Sequence, residues 1–197
     1  MTLVDDIVIK RLGRAEYAPT VDAMRAFTRT RGEATPDELW LLEHAPVYTL
    51  GQGAASVSVA NGIPVVQTDR GGEVTYHGPG QVIVYALVDL ARRGIKVKEF
   101  VRRLEQSVID LLDGRGERRA GAPGVYVDGA KIAALGVRVV RGRSYHGLAL
   151  NVDMDLSPFN AIDPCGYPGL RVTQMRDLGL PFDDQRLVAS IARQLDA

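Results

Sequence analysis

The chain has 197 residues, of which 46% are hydrophobic and 24% charged, with 24 basic side chains balancing 24 acidic ones. That is an ordinary globular composition, large enough for one domain, and its charge balance gives no global pull toward nucleic acid or an anionic membrane. A single cysteine excludes an intrachain disulfide and any cysteine-cluster zinc site.

The N-terminus, MTLVDDIVIKRLG, carries two early acids and no long apolar stretch, so no signal peptide is expected. No apolar run approaches the ~18 residues of a membrane span. The expected address is the cytoplasm. Ile7-Val8-Ile9 reads as a short strand, and Tyr17, Val21, Met24 and Phe27 recur at helical spacing. Glu38 to Glu43 and Val47 to Leu50 read as strands separated by the break at His44-Ala45-Pro46. A short strand over Ile63 to Gln67 follows the Asn61-Gly62 turn.

Gln81 to Leu90 is a nearly continuous apolar run, the pattern of a buried strand. Val97, Phe100, Val101, Leu104, Val108, Leu111 and Leu112 draw a helical stripe that stops at Asp113-Gly114. Val125 to Val127 and Lys131 to Val140 flank Asp128-Gly129, a two-residue hairpin turn. Tyr145 to Val152 is a further strand, and a last helix begins near Asp183-Asp184 and buries Leu187, Val188, Ile191 and Leu195. The expected class is α+β: one domain over 1–197 with a mixed, largely antiparallel sheet flanked by helices.

Four segments could carry chemistry. DRGGEVTYHGPGQ, 69–81, sets four glycines around Arg70 and His77, a loop whose backbone can approach a ligand. It lacks the Gly-Lys-Ser/Thr ending of a phosphate loop. In GAKIAALG, Lys131 opens an apolar strand; such a lysine is ordinarily a surface charge, but its small neighbours also allow it to reach inward. In SYHGLALN, Ser144 and His146 sit two apart, on one face of a regular strand, and Gly142 to His146 misses the G-x-S-x-G elbow of serine hydrolases. AIDPCGYPG places Cys165 between Pro164 and Gly166, on a turn rather than in a packed element. Thiolates attack thioesters well, and a nearby ammonium favours the thiolate.

Taken in order, RGGEVTYHGPGQ, GAKIAALGVRV, SYHGLALNVDMDL and IDPCGYPG resemble the lipoyl(octanoyl) transferase family, octanoyl-[acyl-carrier-protein]:protein N-octanoyltransferase. The likeness extends upstream through LLEHAPVYTLGQG and LGRAEYAPTVDAMRAF. The resemblance implies a biotin/lipoate protein ligase-like fold. It implies transfer of an octanoyl chain from octanoyl-acyl carrier protein to a lysine of lipoyl domains, in 2-oxoacid dehydrogenase complexes or the glycine cleavage H protein, with no cofactor. Cys165 matches the acyl-accepting thiol and Lys131 its partner lysine. Arg70, Gly71, Gly72, Glu73, Val74, Thr75, Tyr76 and His77 match the substrate loop, while Ala134, Leu135, Gly136, Gly147, Leu148 and Ala149 match other acyl-lining stretches.

Further expectations concern access and electrostatics. His77 and His146 are candidate helpers for the oxyanion, beside backbone N–H groups near Gly147 or Cys165. Arg92, Arg93, Arg115, Arg118 and Arg119 are a candidate basic face for an acidic carrier. Both protein partners need the same mouth, which favours a monomer; neither nucleic acid nor membrane is expected as a partner. Two other readings stand beside this one: an ATP-dependent lipoate or biotin ligase, and a non-catalytic acyl-binding protein.

Overall fold

The computed structural model describes residues 2–4, 6–55, 59, 61–163 and 169–197. Seven strands build the main sheet: β1 (Thr2–Val4), β2 (Ile7–Ala15), β3 (Asp37–His44), β7 (Gln81–Leu87), β8 (Gly124–Val127), β9 (Ala130–Val140) and β10 (Arg143–Asn151). Their order is β1-β2-β3-β7-β10-β9-β8. Only β2 and β3 pair in parallel among these neighbours, and α1 (Tyr17–Thr30) makes the crossover between them. A second sheet, absent from the sequence expectation, joins β4 (Val47–Leu50) to β5 (Val65–Gln67) and β6 (Val74–His77). The α+β class holds, with two mixed sheets rather than one.

The main sheet is covered on both faces. On one, α3 (Val97–Leu111) and α4 (Asp184–Asp196) lay Phe100, Leu104, Val108, Leu187, Ile191 and Leu195 over Ile9, Leu39, Val84 and Leu150. On the other, Tyr17, Val21 and Met24 of α1 pack on Trp40, Leu42, Ile83, Tyr85, Tyr145 and Ala149. Tyr48, Tyr76, Met154 and Phe159 form a third cluster beneath the small sheet.

Local chemistry explains the boundaries. Asp183 caps α4, accepting from the Gln185 and Arg186 N–H groups, as expected. Asp128 and Gly129 take φ of 48° and 77°, the left-handed pair of a tight hairpin. Arg141-Gly142 does the same at the β9–β10 tip, without the usual Asn or Asp. The β7 strand stops at Leu87 instead of Leu90, because Asp89 accepts from the Arg92 N–H and opens the short helix α2 (Leu90–Arg93). Strand β2 runs on to Ala15, past the expected Ile9: Lys10 to Arg14 are largely exposed, so their charges fit an extended strand beside β3. Val97, assigned to the α3 stripe, is 46% exposed and lies off the core.

Candidate active site

The glycine-rich segment read as a loop contains β6, and together with β9 and β10 it encloses a slot. Its lining includes Arg70, Gly72, Glu73, Val74, Thr75 and His77 on one side and Ala134, Leu135, Gly136, His146, Gly147, Leu148 and Ala149 on the other. The slot is narrow, with a cavity volume of about 40 Å3. Three segments distant in sequence are thus brought together. Two members of the expected set are placed elsewhere: Gly71 spends its backbone on the Val137 carbonyl, and Tyr76 turns its ring to Tyr48 and Phe159. Tyr17, Ile83 and Tyr85, which the sequence marked only as core, complete the slot.

Glycines set its calibre. A Cβ on Gly136 would stand 2.7 Å from the Gly71 carbonyl oxygen, and one on Gly51 would stand 2.7 Å from Arg70 Nη1. The roof loop therefore lies directly on the sheet, with Arg70 packed among glycines. Register fixes the order along the slot. Ala134 and Ile83 flank Ala149, and Gly136 and Tyr85 flank Gly147 one step further from Lys131.

Lys131 lies three residues before Ala134 on β9 and is 3% exposed, so it is not the surface charge that its turn-side position ordinarily predicts. A register shift opposite Val125/Tyr126 lets Ile132 and Ala133 both pack into the main core, which leaves Lys131 on the slot side with Ala134. Its Nζ donates to the Pro123 carbonyl at 3.3 Å and lies 5.0 Å from the Tyr126 ring centroid. Gly124, at φ 144°, makes room: a Cβ there would be 3.2 Å from Nζ and 2.7 Å from the Ala133 carbonyl oxygen. Buried Glu105 accepts from the Gly124 N–H at 2.9 Å and pairs with Arg118, holding this strap in place. The lysine main chain is anchored separately, donating to the Arg171 carbonyl and accepting from the Thr173 N–H. Cys165, with Pro164 to Pro168, lies outside the described residues.

A chain of hydrogen bonds joins the roof to the Lys131 strand. Arg70 donates to the Thr49 carbonyl and hydroxyl at 2.7 and 2.8 Å. The Thr49 hydroxyl meets His77 Nε2 at 3.3 Å, and His77 Nδ1 meets Gln81 Oε1 at 2.7 Å. Gln81 Nε2 donates to the Tyr76 carbonyl and to Asn151 Oδ1, and Asn151 Nδ2 donates to the Thr173 carbonyl. Because both Gln81 amide protons go to oxygens, its Oε1 is an acceptor and the His77 proton sits on Nδ1.

All three histidines of the chain gather here. His44 donates from Nδ1 to the Ala15 carbonyl and accepts from the Tyr85 hydroxyl at Nε2, each at 2.7 Å. His146 Nε2 donates to Asp69 Oδ1 at 2.9 Å. Burial, with His44 and Arg70 nearby, pushes the His77 pKa down to about 3, and burial lowers that of His44. Burial outweighs Asp69 at His146 and holds it to about 4. At Asp69, burial pulls the carboxyl up, but hydrogen bonds from His146 and Tyr145 reverse this, down to about 2. Both slot histidines are therefore neutral near pH 7, and each has already committed its single N–H. Neither has a proton left to donate to an oxyanion.

His146 also breaks the expected alternation with Ser144. With φ of 61°, His146 turns toward Asp69 and the Tyr85 ring. The Ser144 hydroxyl instead accepts from the Val88 N–H at 3.0 Å and donates to the Ala86 carbonyl at 2.7 Å. Those are groups at the end of β7 and just beyond it, which a regular ladder would have paired with β10 backbone. Ser144 thus mends the sheet where His146 leaves it.

The five arginines considered for carrier docking all have partners within the chain. Arg92 and Arg93 pair with buried Asp37, Arg118 pairs with Glu105, Arg119 donates to the Gly129 carbonyl, and Arg115 to the Leu178 carbonyl at 3.4 Å. Among the described residues no cluster of three or more His, Cys, Asp or Glu is placed to hold a metal ion. No helix there is long and apolar enough to cross a membrane.

Comparison with known proteins assigns the family. The family model described as lipoyl protein ligase A/B catalytic domain matches residues 16–196. The chain is 60% identical over 194 residues to a protein named octanoyltransferase from Aromatoleum aromaticum, covering 96% of this chain and 82% of that one. It is 64% identical over 179 residues to an octanoyltransferase from Thiobacillus denitrificans, covering 88% and 82%. Among solved structures, a bi-partite lipoate protein ligase from Thermoplasma acidophilum superposes with a TM-score of 0.65 at 18% identity, over 95% of this chain and 82% of that one, a likeness of fold. On the family match and these identities, the chain belongs to the lipoyl protein ligase A/B catalytic domain family.

Proposed function

We propose that this chain transfers an octanoyl group from an acyl carrier protein to a lysine of lipoyl domains, with Cys165 as the transient acyl carrier. The observation that carries the reading is a buried amine, Lys131, on the strand that also gives Ala134 to Gly136 to a slot whose bore is set by glycine backbone and whose walls are largely apolar. The relatives named octanoyltransferase supply the acyl group. At roughly 0.8 kcal/mol per buried methylene, an eight-carbon tail in such a slot gains about 5 kcal/mol.

The sulfur of Cys165 attacks the thioester carbonyl, a new thioester forms, and the carrier thiol departs with a proton. The lipoyl-domain amine then attacks the Cys165 thioester, an amide forms, and the sulfur leaves. Lys131 exchanges a proton with the thiol in the first half and with the incoming amine in the second. The first half is nearly isoenergetic and the second is downhill, so no nucleotide is needed. The main chain at 171–173, fixed to Lys131, begins six residues after Cys165, a link of at most ~20 Å. Since His77 and His146 have committed their protons, backbone N–H groups stabilise the oxyanion in this scheme. The reading places the chain in the cytoplasm as a monomer.

The test is intact-mass analysis after mixing with octanoyl-carrier and no nucleotide. A single octanoyl adduct on Cys165, discharged by a lipoyl domain and absent from Cys165→Ala, is expected. Strict dependence on ATP would replace this reading with a ligase, and tight binding without an adduct would replace it with a binder.

A further inference from the structure

A second pocket lies on the outer side of Asp69, away from the slot. It is a concavity of about 480 Å3 between α1 and the β9–β10 hairpin, lined by Arg25, Thr28, Arg29, Arg141, Arg143 and Tyr145, with Asp69 and Val140. Two of its four guanidinium groups are compensated: Arg25 pairs with Asp22 and Asp69, and Arg143 with Asp89. Arg29 and Arg141 have no hydrogen-bond or ion-pair partner among the described residues. Asp69 itself is occupied by His146, Tyr145 and Arg25.

Thr28 supplies an independent sign. Two other threonines of α1, Thr20 and Thr30, return their hydroxyls to carbonyls four residues back, at 2.6 and 2.9 Å. Thr28 does not. It is 6% exposed and its Oγ1 has no partner, an arrangement that leaves a buried hydroxyl unsatisfied. From these features we infer that the pocket is a binding site for a phosphate group. Two uncompensated guanidinium groups match a dianion, and planar arginine forks suit its tetrahedral oxygens. The Thr28 hydroxyl adds a third donor beside the two guanidinium groups, and a phosphate has oxygens enough to accept from all three. Val140, 38% exposed, and the Tyr145 ring provide an apolar wall for the ester portion of the ligand.

The site is independent of the acyl-transfer reading and shares only Asp69 with the His146 side. Its test is calorimetric titration with inorganic phosphate at constant ionic strength. Saturable binding is expected, weakened at least about tenfold in Arg29→Ala/Arg141→Ala, the effect of removing charge-assisted hydrogen bonds. Thr28→Val should weaken it several-fold without lowering Tm. No saturation, or equal affinity in the double variant, overturns the site. The source of the phosphate follows from transfer kinetics. If it is borne by the donor protein, free phosphate and the double variant both raise the KM for donor at unchanged kcat. If it is a free phosphate ester, donor KM stays fixed while phosphate still binds.

Discussion

His146 Nε2 and Asp69 Oδ1 lie 2.9 Å apart across the wall between the slot and the arginine-lined pocket. The contact fixes the His146 tautomer and leaves the imidazole neutral, with its pKa held to about 4 while that of His77 is about 3. In the unfolded chain both titrate near 6.5, so between roughly pH 4 and 6.5 the unfolded state binds more protons. Their contribution to stability is full above pH 6.5 and lost as pH falls toward 4. These two histidines alone should take up about two protons on unfolding near pH 5, a slope of roughly 2–3 kcal/mol per pH unit, and His44 adds to it in the same direction. Denaturant melts between pH 4.5 and 7 measure it; a flat profile contradicts the neutral assignment. Asp69→Asn removes the group that pulls the His146 pKa upward, so that pKa should fall further by NMR titration.

Gly124 faces Lys131 so closely that no side chain fits between them. Gly124→Ala should displace the Lys131 ammonium and lower kcat at least about tenfold, with a stability loss of about 1–3 kcal/mol from the strained φ and the close carbonyl. Lys131→Ala should abolish transfer while keeping most of the stability, because the Arg171 and Thr173 contacts use only main chain. Paired Tm and single-turnover measurements separate the two effects.

Two rings line the slot with their polar atoms pointing elsewhere. The Tyr17 hydroxyl bonds Thr68 and the Tyr85 hydroxyl bonds His44. The rings therefore meet a ligand as apolar surface, and trimming one should lengthen the slot. Tyr17→Ala should shift preference toward decanoyl donors, and Ala149→Val toward hexanoyl. Misfit by one methylene changes kcat/KM by about 10- to 200-fold. Competition among acyl donors of graded length reads the shift; an unmoved profile would assign the depth to other residues.

Ser144→Ala leaves the Val88 N–H and the Ala86 carbonyl without their hydroxyl partner inside the sheet. A loss of about 2 kcal/mol is expected, lowering Tm by roughly 4–8 °C. Hydrogen exchange at the Val88 amide should rise with it. Unchanged protection there would mean that the strand re-forms its own ladder.

Periodicity revealed the elements that bury one face. The α3 stripe and the Asp128-Gly129 hairpin stand where the pattern put them. Strand β6 was hidden because Val74 to His77 are buried throughout, so no alternation marks them. Lys10 to Arg14 obscured β2 by the opposite means, with charges on exposed backbone. At the site, glycines and small residues signalled the walls of the slot. Tyr17, Ile83 and Tyr85 did not stand out, because an apolar residue lining a ligand cavity obeys the same spacing as one packed in core. Gln81 opens one apolar strand and Asn151 closes another, and the two amides meet as cross-strand partners at one end of the pair, a pairing that spacing along the chain does not show.

The chain leaves the main sheet after Asn151 and returns to it at Arg171, and the neck of this excursion is tied several times over. Asn151 accepts from the Met175 N–H and donates to the Thr173 carbonyl, Met154 N–H meets the Gln174 side chain, and Lys131 grips residues 171 and 173. The ties at the neck use backbone and two amide side chains. Further out, Phe159 and Ile162 pack with Tyr48 and Tyr76, and the Tyr48 hydroxyl donates to the Pro158 carbonyl. The excursion is thus riveted to the small sheet as well as to the large one, so a substitution at Phe159 should loosen both at once.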